Sequence, residues 1–147
     1  MAKQADSAQR KTDTSSPLIS DPKAGRELAL TIAEAALDKK ASRIEIIDVR
    51  GKVDYTDYVI VMSGRSDRQV AAIARGIEED LKLKHGTQCS GVEGLPQGNW
   101  VLLDFGDVVV HIFHQDTRGY YDLEALWLDA DRVEFDGQQS DEGFVFP

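Results

Sequence analysis

Asn99–Trp127, NWVLLDFGDVVVHIFHQDTRGYYDLEALW, decides the fold. Two strongly β-prone runs, Trp100–Asp104 and Val108–His114, are separated by Phe105-Gly106-Asp107. Gly106 takes a positive φ without steric cost, so the stretch predicts a tight β-hairpin. A short segment dense in Tyr, Leu and Trp follows, with Asp122 as the expected N-cap of a last helix over Leu123–Leu128. Both tryptophans of the chain stand in this stretch, near its two ends.

Upstream, Tyr58-Val-Ile-Val-Met62 has no polar alternation, as expected of a central strand covered on both faces. Arg43–Val49 reads as a half-buried strand and Arg50-Gly51-Lys52 as a turn. Asp21-Pro22 predicts a helix start, and the apolar stripes Leu28/Ile32/Ala35 and Leu30/Ala33/Leu37 carry that helix towards Lys39-Lys40. Ser66, with Gln69 three residues on, predicts a capped second helix. Val70, Ile73, Ala74, Ile77 and Leu81 mark its buried face as far as Lys84, and His85-Gly86 stops it. Thr87–Ser90 is expected to be a short strand, and the unit Tyr58–Cys89 is long enough for a right-handed crossover. The resulting fold class is α/β, a mixed sheet of about five strands flanked by helices. Three regions are expected: a disordered tail over 1–21, one domain over 22–128, and an acidic, mobile tail over 129–147.

Composition narrows the function. The net charge of −9 argues against wide contact with a phosphate backbone, which needs clustered Lys and Arg. Residues 129–147 hold −5 of it and residues 24–128 another −5, against +1 on residues 1–23. An acidic body points to a basic partner, or to solubility alone. No apolar run reaches the ~20 residues of a membrane span, and Met1–Ser16 lacks the apolar core of a signal peptide. The single cysteine, Cys89, fits a reducing compartment, so the cytoplasm is the expected location.

The chemical motifs are weak. His111-x-x-His114 has the look of a metal pair, but residues three apart on a strand face opposite ways. His111 therefore reads as a satisfied, half-buried side chain, and Asp104 with Asp107 has no third ligand; no metal or cofactor is expected. Ser63-Gly-Arg-Ser66 stands where a helix start can hold an anion, yet it is neither a Walker loop nor a GxGxxG turn, and capping explains Ser66. The layout is similar to nucleotidyltransferases, whose next strand carries an acidic pair for magnesium; Thr87-Gln-Cys-Ser90 has none. Cys89 has no activating base nearby in sequence. The aromatic cluster Trp100, Tyr120, Tyr121 and Trp127, with acids Asp104, Asp107, Asp122 and Glu124 around it, is either core or the anchor set of a protein interface.

Five motifs then occur in register: Asp54-Tyr-Thr-Asp57, Ser63–Arg68, Val92-Glu-Gly94, Trp100 with Asp104–His111, and Arg118-x-x-Tyr121-x-Leu-Glu-x-Leu-Trp127. Together they resemble the bacterial ribosomal silencing factor family (RsfS, Iojap-like or YbeB) over Gly25 to Leu128. Ser63 stands where the family often has Thr, and Phe105 where Leu is common. The resemblance implies a nucleotidyltransferase-like fold without catalysis. It implies binding to the large ribosomal subunit through ribosomal protein L-fourteen, which blocks joining of the small subunit and represses translation under nutrient limitation or in stationary phase. It also implies a possible homodimer of the free protein and little nucleic-acid contact.

The partner-binding residues expected from these motif positions are Trp100, Asp104, His111, Tyr121, Leu126 and Trp127, with Asp107 and Glu124 as rim charge. Val110 and Ile112 are assigned to the core. The alternative is a divergent nucleotidyltransferase-like, nucleotide-binding enzyme using Ser63–Ser66 and Asp104/Asp107; a dimeric adaptor acting through Phe144–Pro147 is a third reading.

Overall fold

The computed structural model describes residues 22–135. In chain order the elements are α1 (Pro22–Asp38), β1 (Ser42–Asp48), β2 (Tyr58–Gly64), α2 (Asp67–His85), β3 (Gly91–Glu93), β4 (Trp100–Asp104), β5 (Val108–His114), α3 (Gln115–Tyr121), a 3-10 segment (Leu123–Trp127) and β6 (Arg132–Val133). The six strands form one mixed sheet in the order β3-β4-β5-β2-β1-β6. Asp21, the expected cap of α1, and Phe144–Pro147 lie outside the described residues.

The apolar run of β2 is buried along its whole length, as its lack of alternation requires. It sits at the centre because β5, equally apolar, pairs with it in parallel from Tyr58↔Val108 to Gly64↔His114. The hairpin β4–β5 forms as expected, with Gly106 at φ 89 in its turn. The Phe105 N–H donates to the Val108 carbonyl at 2.9 Å.

Alternation along β4 and β5 divides the sheet's side chains between two faces. Val101, Leu103, Val108, Val110 and Ile112 point to the face covered by α1 and α2, where Ile32, Ile73, Ile77 and Leu81 complete the main core. Trp100, Leu102, Asp104, Val109, His111 and Phe113 point to the other. There a smaller cluster, Ile47, Val49, Val59, Val61 and Phe113, is capped by Trp127 and Ala130.

Helix α2 begins as its sequence signals. The Ser66 hydroxyl accepts from the Gln69 N–H at 3.1 Å. The Gln69 side chain reaches back one residue further than a capping box requires and accepts from the Arg65 N–H at 2.6 Å. Gly86, at φ 64, closes the helix through N–H contacts with Leu81 and Lys82 carbonyls.

Four expectations are corrected. Thr87–Ser90 is not a strand: the Ser90 N–H and hydroxyl both bond the Asp104 carbonyl, and the ladder proper begins at Gly91. The crossover from β2 therefore ends not on that segment but on β5, after β3 and β4 have been laid at the sheet edge. The single last helix is replaced by α3 and the 3-10 segment, broken at Asp122, whose φ of 47 ends α3 and whose side chain makes no capping bond. Finally, the expected tail does not begin at 129: Arg132–Val133 join the sheet as β6, so the expected sheet of about five strands has six. Ile46↔Val133 and Ile47↔Arg132 pair antiparallel, and burial of Ala130 and Val133 holds this edge in place.

Candidate partner-docking site

The second sheet face is covered over β1 and β2 by Trp127 and Ala130; over β4, Tyr121 of α3 packs on Trp100 and the rest of that strand's face is only half-buried. Trp100, Leu102 and Asp104 run down this face of β4, half-buried. Beside them, Glu93 of β3 is exposed.

Trp100 is the pivot. Its indole lies 4.8 Å from the Phe113 ring, 5.9 Å from His111 and 4.7 Å from Tyr121. Its Nε1–H donates to His111 Nδ1 at 3.0 Å. A buried imidazole with one nitrogen accepting must carry its proton on the other, so His111 is held neutral as a single tautomer. Burial pushes its pKa down to about 4. His111 is thus satisfied by Trp100 and lies beneath it; it supports the surface rather than forming it.

Tyr121 is 51% exposed and packs on Trp100 with its ring tilted by 47°, and Tyr120 lies edge-on to it at 5.0 Å. His114 sets the start of this helix: its Nδ1 accepts from the Asp116 N–H at 3.1 Å. His111 and His114 therefore serve different structural ends on opposite sheet faces. No group of three or more His, Cys, Asp and Glu able to hold a metal occurs among the described residues.

Leu126 is 68% exposed and Leu128 is 79% exposed. Trp127 between them turns inward and is only 7% exposed, against Ile47, Val49 and Phe113. Leu126 is thus a surface residue, while Trp127 holds it out from below. Glu124, expected as rim charge, instead pairs with buried Arg118, whose Nη2 lies 2.7 Å from Glu124 Oε2. Its charge is neutralised inside the fold. Asp107 lies at the far end of the hairpin, where burial and the neighbouring Asp57 raise its pKa; its carbonyl accepts from the Asp57 and Tyr58 N–H groups. Asp104 accepts from the Gly106 N–H at 2.8 Å and stays at the surface of the open face.

The structure accordingly brings Trp100, His111, Phe113 and Tyr121 into ring contact, places Asp104 four residues along the same strand towards the hairpin turn, and leaves Leu126 exposed beside the buried Trp127. Glu124 is engaged by Arg118 and Asp107 sits in the turn itself. Sequence reasoning missed Leu102 and Glu93, which pair side by side on the sheet face of Trp100. Two-residue alternation from Trp100 would have found Leu102; nothing local marks Glu93, which arrives by strand pairing.

The nucleotide-like turn is filled by the protein itself. The Arg65 N–H is taken by Gln69, and a Cβ on Gly64 would meet Val70 Cγ2 at 2.9 Å. That glycine serves the close approach of α2 to β2. Cys89 donates to the Gly91 carbonyl at 3.2 Å, and burial raises its pKa, the opposite of an activated thiol.

Comparison with known proteins agrees with this architecture. Residues 22–144 match the family described as "Ribosomal silencing factor during starvation". The ribosomal silencing factor RsfS of Bacillus subtilis is 46% identical over 108 residues, covering 73% of this chain and 91% of that protein. The RsfS of Zymomonas mobilis is 40% identical over 124 residues, covering 84% and 86%. A chloroplastic Iojap protein of Arabidopsis thaliana is 32% identical over 127 residues, 85% of this chain and 52% of its own. Among solved structures, one from Bacillus halodurans superposes with a TM-score of 0.65 at 38% identity, covering 75% of this chain and 99% of that one. Another, from Chromobacterium violaceum, gives 0.66 at 37% identity, covering 80% and 93%. With the family's profile spanning the sheet, both main helices and the aromatic surface, the chain belongs to the ribosomal silencing factor (RsfS) family.

Proposed function

We propose that this protein represses translation by seating its open sheet face on large-subunit ribosomal protein L-fourteen, where its bulk excludes the small subunit. The observation that supports this most directly is the asymmetry of the sheet. One face is sealed by α1 and α2, whereas on the other Trp100 and Leu102 are only half-buried, and Tyr121, Leu126 and Leu128 are exposed. Tryptophan and tyrosine are the usual anchors of protein interfaces, since they bury a large area with few rotamers to fix.

Charge selects the kind of partner. A chain of net charge −9 is repelled by ribosomal RNA, and Asp104 and Glu93 beside the aromatic surface favour a basic protein. Steric exclusion requires affinity and volume, and this reading assigns no catalysis and no cofactor to the chain. The same open face serves self-association of the free protein, so a homodimer would part before docking. The cytoplasm is the matching location; among the described residues no helix is long and apolar enough to cross a membrane.

Sucrose-gradient sedimentation with isolated large and small subunits, at magnesium that permits joining, tests the proposal. The expected result is co-migration with the large subunit alone and loss of the joined peak. Migration with neither subunit, or an undiminished joined peak, would overturn it.

A further inference from the structure

The 3-10 segment Leu123–Trp127 is five residues long. Such a segment has little stability of its own, because its geometry is poor and its hydrogen bonds few. It nonetheless presents Leu126, with Leu128 just past its end. Something else must hold it.

Besides Trp127, buried in the smaller core, two arginines do so, one at each end, and both are anchored on β1. At the far end Arg132 Nη1 donates to the carbonyls of Trp127 and Ala130 at 2.8 and 3.0 Å, while its Nε donates to Glu45 at 3.2 Å. At the near end Arg118 is 3% exposed. Its Nε and Nη2 meet Glu124 Oε2 at 2.8 and 2.7 Å. Its Nη1 donates to Ser63 Oγ at 2.9 Å and to the Arg43 carbonyl at 2.6 Å.

The Arg43 carbonyl is available for a physical reason. The register of β1 on β2 slips between Ser42 and Glu45, and Arg43 takes a φ of 52 within that irregularity. A bulge of this kind leaves a residue out of the ladder. Arg118 satisfies the carbonyl so released. One guanidinium thereby ties α3, the 3-10 segment, β1 and β2 together, which needs a planar fork of donors pointing several ways; a lysine ammonium has no such fork.

We infer that Arg118 is the positioning residue of the docking surface. By fixing Glu124 to the ends of β1 and β2 it holds in place, before a partner arrives, the segment that exposes Leu126 and Leu128. The inference rests on the docking reading above. A surface ordered in advance binds more tightly because less disorder is lost on association.

The test uses the full chain and the variants Arg118→Lys, Arg118→Met and Glu124→Gln. Hydrogen exchange is followed over residues 119–128 and over β2 and β5, and affinity is measured by co-sedimentation with isolated large subunits. In Arg118→Lys, which keeps the charge, exchange over 119–128 should quicken by about tenfold or more with β2 and β5 unchanged, and affinity should fall by about tenfold. Glu124→Gln, which still accepts the Nε bond, should fall between Arg118→Lys and the parent. If Arg118→Met fails to fold, the other two variants still decide.

Uniformly faster exchange would make Arg118 a general stabiliser and overturn the inference. So would a loosened segment with undiminished affinity. Failure of the parent protein to sediment with large subunits would instead overturn the docking reading, and the two failures are separable because exchange is measured without ribosomes.

Discussion

The Trp100 Nε1–H donates to His111 Nδ1 across neighbouring strands, at 3.0 Å. This bond joins the most interface-like side chain of the protein to a buried, neutral imidazole. It fixes the indole's orientation on an otherwise open sheet face. It also makes that face sensitive to acid.

The pH dependence follows from the lowered pKa of His111, about 4 in the fold against 6.5 when exposed. Between these values the unfolded chain binds a proton that the folded chain refuses. The stability present above pH 6.5 is therefore lost as pH falls towards 4, by on the order of 2–3 kcal/mol. His111→Asn removes that titration while keeping an acceptor near the indole. Urea denaturation of both proteins from pH 7.5 to 4 should show a steeper decline for the parent; parallel curves would count against it.

Leu126 and Trp127, adjacent in sequence, should respond oppositely. Trp127→Ala empties the plug of the smaller core and should cost about 3–5 kcal/mol. Leu126→Asp touches an exposed side chain and should change stability by about 0.5 kcal/mol or less, yet weaken binding to large subunits. Thermal unfolding paired with co-sedimentation separates the two effects. Full binding by a stable Leu126→Asp variant would remove that residue from the interface.

Asp107→Asn has a worked sign. Burial and Asp57 raise the Asp107 pKa in the fold, so its ionised form is disfavoured there. The penalty is present at neutral pH and disappears as pH falls below the carboxylate range. The variant should thus be slightly more stable than the parent at pH 7 and equal to it near pH 3, as read by chemical denaturation. Raised salt should slow association of the parent with large subunits, through screening of the acidic face. A salt-independent rate would dispose of electrostatic steering.

Gly94→Ala should disrupt the β3–β4 connection. Gly94 sits at φ 98, and an added Cβ would run into the Trp100 carbonyl oxygen. Both the strain and the displaced Trp100 backbone predict lower stability and weaker large-subunit binding together. Normal binding by this variant would show that Trp100 tolerates movement of β3.

Much of this was legible locally. The unbroken apolar run of β2, the glycine turn at Phe105–Asp107 and the Ser66 cap each contain their own cause within a few residues. Leucine and isoleucine spacing likewise placed α1 and α2 near their observed ends. The end of the domain was less legible. Residues 129–135 read as acidic tail because charge dominates their composition, but Val133 gains a ladder and a core on reaching β1. Asp122 read as a helix cap, yet the fold requires it in a left-handed turn between two short segments.

The sequence by itself determined the fold class, the central strand, the hairpin and, through its motifs, the family, since each depends on contiguous patterning of side chains. Only the tertiary structure decided which of the aromatic and acidic residues face outward. Trp127 went inside and Leu126 outside; Glu124 was neutralised by Arg118, and Glu93 was brought beside Leu102. The reason is that exposure and ion pairing are properties of distant chain segments meeting. Arg118 bonds residues 55 and 75 positions away, and no local pattern encodes those partners.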